Sequence, residues 1–377
     1  MKRIFAIVML CCFSCKHDAQ QHSKIAEESA PILWATYEPQ GAIKNRRIVL
    51  VSGDEEYRSE EVLPQLAKIL SNRHGFDCTV LFAQDSLKPG IINPNYRYNI
   101  PGLHLLDSAD LVVWFTRFRE LPVNQMQYLD NYLKKGKPIL AIRTATHAFN
   151  FVDPDHPFAH YSWNYQGQIA DWHLGFGKKI LGETWYTHHG DHKNQSTRGL
   201  FPQVAQKHKV LTGIKNGSVW GPTDVYGVRT PLPEDGEIIL LGQTIDREAE
   251  FDSNDPMYGM KESDTTIATV RSLGDGTSYN PNEAMPPLVW SKSYQVENGR
   301  RGKAITSTIG SSTDFLDEEV RRLLVNASYY LLGQPVPKNA NVDLLGEFAP
   351  SAYQFHDDAY WDQKNLKIAE LLEEITD

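Results

Sequence analysis

Histidines and an aspartate lie close together in the segment 187–192, which reads THHGDH. His188, His189 and His192 carry imidazole nitrogens, which bind zinc or a similar divalent metal and also exchange protons near neutral pH. We therefore predict these three residues as metal ligands. The segment lacks the H-E-x-x-H pattern of zinc enzymes, and Gly190 indicates a loop. The alternative is an aromatic-rich loop whose histidines serve as hydrogen-bond partners.

Arg143 follows the apolar run 138–142 (PILAI), where an α/β enzyme with a sharp strand-to-helix turn carries its nucleophile. Arginine stays protonated and has no nucleophilic lone pair, so it cannot serve as one. Only Cys78 lies outside the leader, within an apolar run, so thiol-dependent amide hydrolysis is excluded. The guanidinium suits a carboxylate, a phosphate or paired oxygens of a substrate. The alternative is a salt bridge that holds the turn.

Two further segments combine glycines with polar groups. Asp224 and Tyr226 stand in one of them, where the aspartate is a candidate base, ligand or orienting carboxylate, or an Asx-turn residue. In the other, Thr308 and Ser311 belong to a hydroxyl-rich turn after an apolar run. Amides and hydroxyls of this kind suit an oxyanion or sugar hydroxyls, but residues 312–314 also fit a plain helix N-cap.

The elements that must position these residues alternate between apolar runs and helical periodicity. The runs predict strands at 47–52, 78–82, 111–116, 138–142, 237–245, 286–294 and 303–310, and the periodicity predicts helices at 60–70, 124–136 and 317–333. Continuous apolar strands between helices predict an α/β fold with a doubly wound, mostly parallel sheet. Because parallel strands place their carboxyl ends on one edge, the candidate residues are expected to converge there.

The N-terminus reads as an export signal. Lys2 and Arg3 precede an apolar run, 4–13, that is too short to span a bilayer. Ser14 and Cys15 then resemble a bacterial lipobox, which predicts acylation of Cys15; ordinary cleavage without lipid is the alternative. The formal net charge of −9 argues against a nucleic-acid or anionic-membrane surface. We expect lipid anchoring to the cell envelope and no other membrane contact.

The chain divides into four predicted parts. They are a lipoprotein signal peptide (1–15), a polar tether (16–44), one α/β domain (45–335) and a C-terminal extension packed on the surface (336–377). The stretch between about 151 and 236 shows no clean period, so its elements are not predicted.

The sequence resembles the ThuA-like family, named for trehalose utilisation, over about residues 46–334. The resemblance rests on IVLVSGDEEYR, AIRTATHAF, HHGDH, TDVYGVR and the ending PLVWSKSY…GRRGKAITSTIGSSTDF. It implies a flavodoxin-like fold related to the class I glutamine amidotransferases but without their cysteine, and a link to carbohydrate catabolism through keto-sugars. Ser311 stands where the family ending usually has histidine, which puts a mechanism based on that histidine in doubt.

The leading hypothesis is an envelope-anchored enzyme that acts on a small carbohydrate or keto-sugar derivative. His147, His189 and Asp224 are the predicted catalytic residues, with a divalent metal such as zinc as the candidate cofactor. Arg143, Tyr226, Thr308 and Ser311 would contact the substrate. The alternative is a non-catalytic carbohydrate-binding lipoprotein, which would need aromatic and hydroxyl groups but no histidine cluster.

Overall fold

The computed structural model of the chain describes residues 30–205, 207–233 and 235–373. From Ile32 onward the described residues form one compact unit. The predicted signal peptide and Cys15 lie outside the described residues. None of the helices within them is both long enough and apolar enough to cross a membrane.

The strands and helices of the described part alternate in the N-terminal half and become strand-rich later. In chain order they are β1 (Trp34–Tyr37), β2 (Arg47–Gly53), α1 (Ser59–Asn72), β3 (Asp77–Phe82), β4 (Leu111–Thr116), α2 (Val123–Lys134), β5 (Ile139–Ile142), β6 (Gln195–Leu200), β7 (Val219–Gly221), β8 (Glu237–Asp246), β9 (Arg271–Ser272), β10 (Ser278–Tyr279), β11 (Pro287–Tyr294), β12 (Gly302–Ser307), α3 (Glu318–Leu331), α4 (Asp358–Lys364) and α5 (Glu370–Glu373). Every strand and helix predicted from the sequence is present, with ends shifted by at most three residues.

Ten of these strands form one sheet in the order β1-β3-β2-β4-β5-β12-β11-β8-β6-β7. The central strands β3, β2, β4, β5 and β12 run parallel. Numbered among themselves they follow the order 2-1-3-4-5, which is found in flavodoxin-like doubly wound sheets. The remaining pairings are antiparallel. The α/β prediction is confirmed, and the parallel arrangement holds for this central group of strands.

Helices cover both faces of the parallel strands because successive strand residues point to opposite sides. On β2, Ile48 and Leu50 pack into a core with α1 and α3, whereas Val49 and Val51 pack into a second core with α2. All four side chains are fully buried. Each face of this strand therefore has its own apolar contact, which explains why its sequence is a continuous apolar run rather than an alternating one.

Segments near both ends of the described chain belong to the folded unit. Residues 34–37, within the predicted tether, form the edge strand β1 antiparallel to β3. The folded part therefore begins before residue 45, the predicted start of the domain. The C-terminal extension buries Val342, Tyr353 and Trp361, and the Tyr353 hydroxyl donates a hydrogen bond to the carbonyl of Pro222 at 3.0 Å. The extension thus contributes these buried side chains to the folded unit.

Candidate functional site

The candidate site lies at the carboxyl ends of β2, β4 and β5, where the order of the parallel strands reverses. Open α/β sheets bind their ligands at this switch point. Loops 54–58, 117–119 and 143–147 leave these strands, and segments 187–192 and 222–226 cover them from the antiparallel side. The predicted convergence of distant segments at one edge is found in the structure.

Two histidines are fixed by one buried aspartate. Nδ1 of His188 donates to Oδ2 of Asp224 at 2.8 Å, and Nδ1 of His192 donates to Oδ1 of the same carboxylate at 2.9 Å. Asp224 is fully buried, whereas the side chains of His188 and His192 are about a quarter exposed. We call His188 and His192 the histidine pair. Since their Nδ1 atoms face the carboxylate, their Nε2 atoms lie on the outer edges of the rings.

The electrostatics of this group favour a charged aspartate. Burial alone would raise the pKa of Asp224, but the neighbouring His188 and His192 hold it well below its usual range. Burial lowers the pKa of His188, and the Asp224 carboxylate outweighs that effect, so the pKa ends above its ordinary value. In both groups the charge of the partner outweighs the effect of burial. The carboxylate and the rings therefore act as one unit with fixed tautomers.

Among the described residues, the donor atoms of His188, His192 and Asp224 lie within 4.8 Å of one another, close enough to hold a metal ion. This group differs from the predicted metal set by containing Asp224 in place of His189. The Nε2 atom of His189 is hydrogen-bonded to the carbonyl of Pro281 at 2.7 Å, and its ring packs on Tyr279. His189 thus faces away from the histidine pair, and the structure supports neither role predicted for it.

Gly190 lies midway between His188 and His192 and helps both rings to reach the same carboxylate. A Cβ atom at Gly190 would lie 3.1 Å from Cβ of Asp224, closer than side-chain carbons normally approach. The absence of a side chain at this residue therefore lets the loop pack closely on the aspartate without a shift of either segment. Asp191, between them, points elsewhere and pairs with Arg271 at 3.0 Å.

Arg143 lies beneath the site and has no exposed surface. Its guanidinium carbon sits 4.1 Å from the ring centre of Tyr57 and 4.2 Å from that of Tyr226. Nη1 donates to the carbonyl of Asp224 at 2.8 Å and also to the carbonyl of Thr308. These contacts fit the alternative to substrate binding, in which Arg143 holds the turn in place. Tyr226 is part of the same stack, and only 2% of its surface is exposed.

The turn with Thr308 and Ser311 is also internal. Both residues are fully buried, and the Ser311 hydroxyl accepts the amide of Asp314 at 3.1 Å. The Asp314 carboxylate in turn accepts the amides of Gly310 and Ser311 at 2.8 and 2.9 Å. The donors that suggested an oxyanion site are thus satisfied within the protein. The predicted substrate contacts of Thr308 and Ser311 are not supported by this geometry.

His147 stands beside the histidine pair in a wall of aromatic rings. Its ring centre lies 5.2 Å from that of Trp185, which also packs on His188 at 5.8 Å. Burial, followed by the charge of Arg117, holds the pKa of His147 well below its ordinary value. His147 is therefore neutral near pH 7, and its Nδ1 lies 3.2 Å from the hydroxyl of Thr146.

An aromatic rim borders the site. It comprises Phe118, Trp163 and Trp185, which follow one another at ring-centre distances of 5.8 and 6.0 Å, and Phe355 from the C-terminal extension. The guanidinium of Arg117 lies between Phe118 and Phe355, 4.5 and 4.8 Å from their ring centres. The rings of this rim are partly exposed, so it offers flat apolar faces of the kind that stack on sugar rings.

Sequence reasoning missed Glu56 and Tyr57 in the loop after β2. Asp54 shapes this loop by accepting the amides of both residues and the hydroxyl of Thr144. Oε1 of Glu56 lies 3.5 Å from Nε2 of His192. Burial, followed by Asp54, raises the pKa of Glu56 above its ordinary value. The available signal was the position of the loop at the end of the first parallel strand, at the switch point.

Comparison with known proteins gives remote likenesses only. No family model matches the chain, and no curated protein matches it. Among solved structures it is similar to a protein described as ThuA-like from Parabacteroides merdae, with 13% identity over 84% of this chain and 98% of the other and a TM-score of 0.43. A second one, from Bacteroides uniformis, shows 16% identity over 78% and 93% of the two chains, with a TM-score of 0.42. Neither likeness is close enough to place the chain in a family.

Proposed function

We propose that the protein is an exported, ThuA-like enzyme of carbohydrate catabolism that acts on a sugar or keto-sugar derivative at the histidine pair. The observation that carries the proposal is the single buried carboxylate of Asp224, which holds both imidazole rings by their Nδ1 atoms. A pure binding site has no need for two tautomer-fixed imidazoles side by side. We also propose the fold family that the sequence motifs imply. It is a flavodoxin-like fold related to the class I glutamine amidotransferases but without their cysteine.

Two kinds of chemistry are open to an unprotonated ring of the histidine pair, besides proton donation by a protonated ring, which the raised pKa of His188 favours. An unprotonated Nε2 either takes a proton from the substrate or binds a cation that polarises a substrate oxygen. Both kinds suit a substrate rich in hydroxyl and carbonyl groups. The aromatic rim supports a ring-shaped substrate, because its exposed faces border the same loops that carry His147 and His188.

A non-catalytic carbohydrate-binding protein is the second candidate. The aromatic rim favours it, since stacking faces and the Arg117 guanidinium between Phe118 and Phe355 suffice for binding. The two candidates differ in what the histidine pair does. In a binder these residues adjust affinity, whereas in an enzyme they are required for turnover.

Replacing one member of the histidine pair is expected to abolish turnover. His188→Ala and His192→Ala should each lower kcat by about 100-fold or more, the range typical of a lost proton-transfer group. The assay measures how fast the purified protein converts trehalose, sucrose and their 3-keto derivatives. His189→Ala is the matched control, because this neighbouring ring is bonded to Pro281 and should leave turnover within a few-fold.

Equal turnover in all three variants would contradict the catalytic role of the pair. Binding of one of these sugars by the unaltered protein without any product, with His188→Ala changing only the affinity, would instead support the carbohydrate-binding alternative.

The proposed location depends on Cys15. Acylation at this residue should hold the protein on the cell envelope, with the polar segment before β1 as the tether. Cys15→Ser is expected to move the protein from the membrane to the soluble fraction, as measured by fractionation and immunoblotting. Metabolic labelling with a fatty acid gives an independent readout. Unchanged membrane association of the variant would contradict lipid anchoring.

A further inference from the structure

We infer that the histidine pair and Glu56 bind one divalent transition-metal ion such as Zn²⁺, and that Asp224 is the outer carboxylate that orients both rings. The inference deepens the proposed function, because the ion would occupy the place where that function puts the reactive atoms. It is carried by three observations: the direction of the imidazoles, the position of Arg143, and the separation of Glu56 from His192.

The direction of the imidazoles points to the Nε2 atoms as ligands. Histidines that bind metals generally donate their other ring N–H to a carboxylate or a carbonyl, which fixes the tautomer and the ring orientation. His188 and His192 both do so, and both donate to Asp224. Their ring centres lie 4.8 Å apart. In its neutral form, each ring therefore carries its lone pair on Nε2, on the side away from Asp224.

The position of Arg143 argues against Asp224 as a direct ligand. Nη2 of Arg143 lies 3.9 Å from Oδ1 of Asp224, and both side chains are fully buried. An ion bound directly to this carboxylate would stand next to a permanent positive charge in a poorly screened environment. An ion on the outer Nε2 edges is separated from Arg143 by the carboxylate and the rings. Arg117 also lies near the outer position, with its Nε 4.0 Å from Oε2 of Glu56, but its side chain is 20% exposed, so its charge is better screened than that of Arg143.

Glu56 supplies the missing anionic ligand. Its Oε1 lies 3.5 Å from Nε2 of His192, and its side chain is 10% exposed. At zinc bond lengths of about 2.0–2.2 Å, ligand atoms of a tetrahedral site lie roughly 3.3 Å apart. Three protein ligands with one open position are the arrangement of catalytic rather than structural zinc sites.

The experiment measures metal binding by the full-length protein without any sugar. The protein is freed of metal by a chelator and titrated with Zn²⁺ in competition with a chromogenic chelator; Co²⁺ added in place of Zn²⁺ reports the ligand field through its visible absorption. We expect one equivalent of tightly bound ion. His188→Ala, His192→Ala and Glu56→Gln should each weaken binding by more than about 100-fold, whereas Asp224→Asn, which alters only the partner of both Nδ1 atoms, should weaken it by about 10–100-fold.

The control is His189→Ala, which should bind the ion like the unaltered protein because His189 faces Pro281. Circular dichroism of every variant separates loss of the site from loss of the fold. Absence of tight binding, or an equal loss in His189→Ala, would overturn the inference. Abolished binding in Asp224→Asn with normal binding in Glu56→Gln would overturn it in favour of direct ligation by Asp224. Sugar turnover by the metal-free protein would refute the metal site but leave the proposed function standing. Metal binding without turnover of any of these sugars would refute the proposed function but leave the metal site standing.

Discussion

Arg143→Met is expected to lower the free energy of unfolding by about 3–5 kcal/mol, the cost of breaking a buried charge interaction by removing one partner. The guanidinium is fully buried between Tyr57 and Tyr226, and it donates to the carbonyls of Asp224 and Thr308. Methionine fills much of the space but leaves both carbonyls without this donor and the aspartate without its nearby cation. Urea unfolding followed by tryptophan fluorescence measures the loss.

Arg301→Met is the matched control for this change. Arg301 also pairs with an aspartate, Asp235, at 2.9 Å, but its side chain is 61% exposed. Exposed ion pairs contribute about 0–1 kcal/mol, so the control should unfold almost like the unaltered protein. Arg143→Lys should fall between the two, because it keeps the charge but loses the planar fork that reaches two carbonyls. Equal losses for Arg143→Met and Arg301→Met would show that Arg143 does not hold the site together.

The parallel half of the sheet could be predicted because its strands are buried on both faces. On β2 the residues at 48–51 are all apolar, and each face has its own core. The antiparallel half could not be read from the same pattern, because burial on both faces carries no information on strand direction. What sets the direction is the connection: seven residues, 295–301, join β11 to β12, too few for the crossover that parallel neighbours require.

The candidate site was predicted in part for a similar reason. Residue type and density in 187–192 pointed to the histidines, but which ring faces Asp224 depends on loop geometry. His189 differs from His188 by one position and turns to Pro281. Glu56 reaches the group from a segment more than 130 positions away, so its role exists only in the folded chain.

The turn at 308–311 shows where the sequence pattern is ambiguous. Hydroxyls and glycine before a helix are typical both of an oxyanion site and of a self-satisfied turn. Asp314 decides between them, because its carboxylate accepts the free amides of the turn. A pattern of donors alone cannot reveal whether an acceptor of the same chain already occupies them.

Asp314→Ala is therefore expected to destabilise the protein strongly, by about 3–5 kcal/mol, since each buried donor left without a partner costs about 1–3 kcal/mol. Asp314 is fully buried. Besides the amides of Gly310 and Ser311, it accepts the amide of Thr223 at 3.1 Å and the hydroxyl of Thr223 at 2.9 Å. One carboxylate thus ties the turn after β12 to the residue that precedes Asp224. Chemical unfolding of the variant measures the loss.

The same link predicts an effect beyond stability. When Thr223 loses its partner, Asp224 is no longer held in register, so the variant should also lose turnover at temperatures where it remains folded. Asp317→Ala is the control: Asp317 caps α3 by accepting the amide of Val320 at 2.8 Å, and loss of such a cap costs about 1 kcal/mol. The Asp317 carboxylate contacts α3 and the backbone of Trp220 but not the residue before Asp224, so activity should persist in Asp317→Ala. Normal turnover in folded Asp314→Ala would show that the position of Asp224 is set by the histidine pair and Arg143 alone.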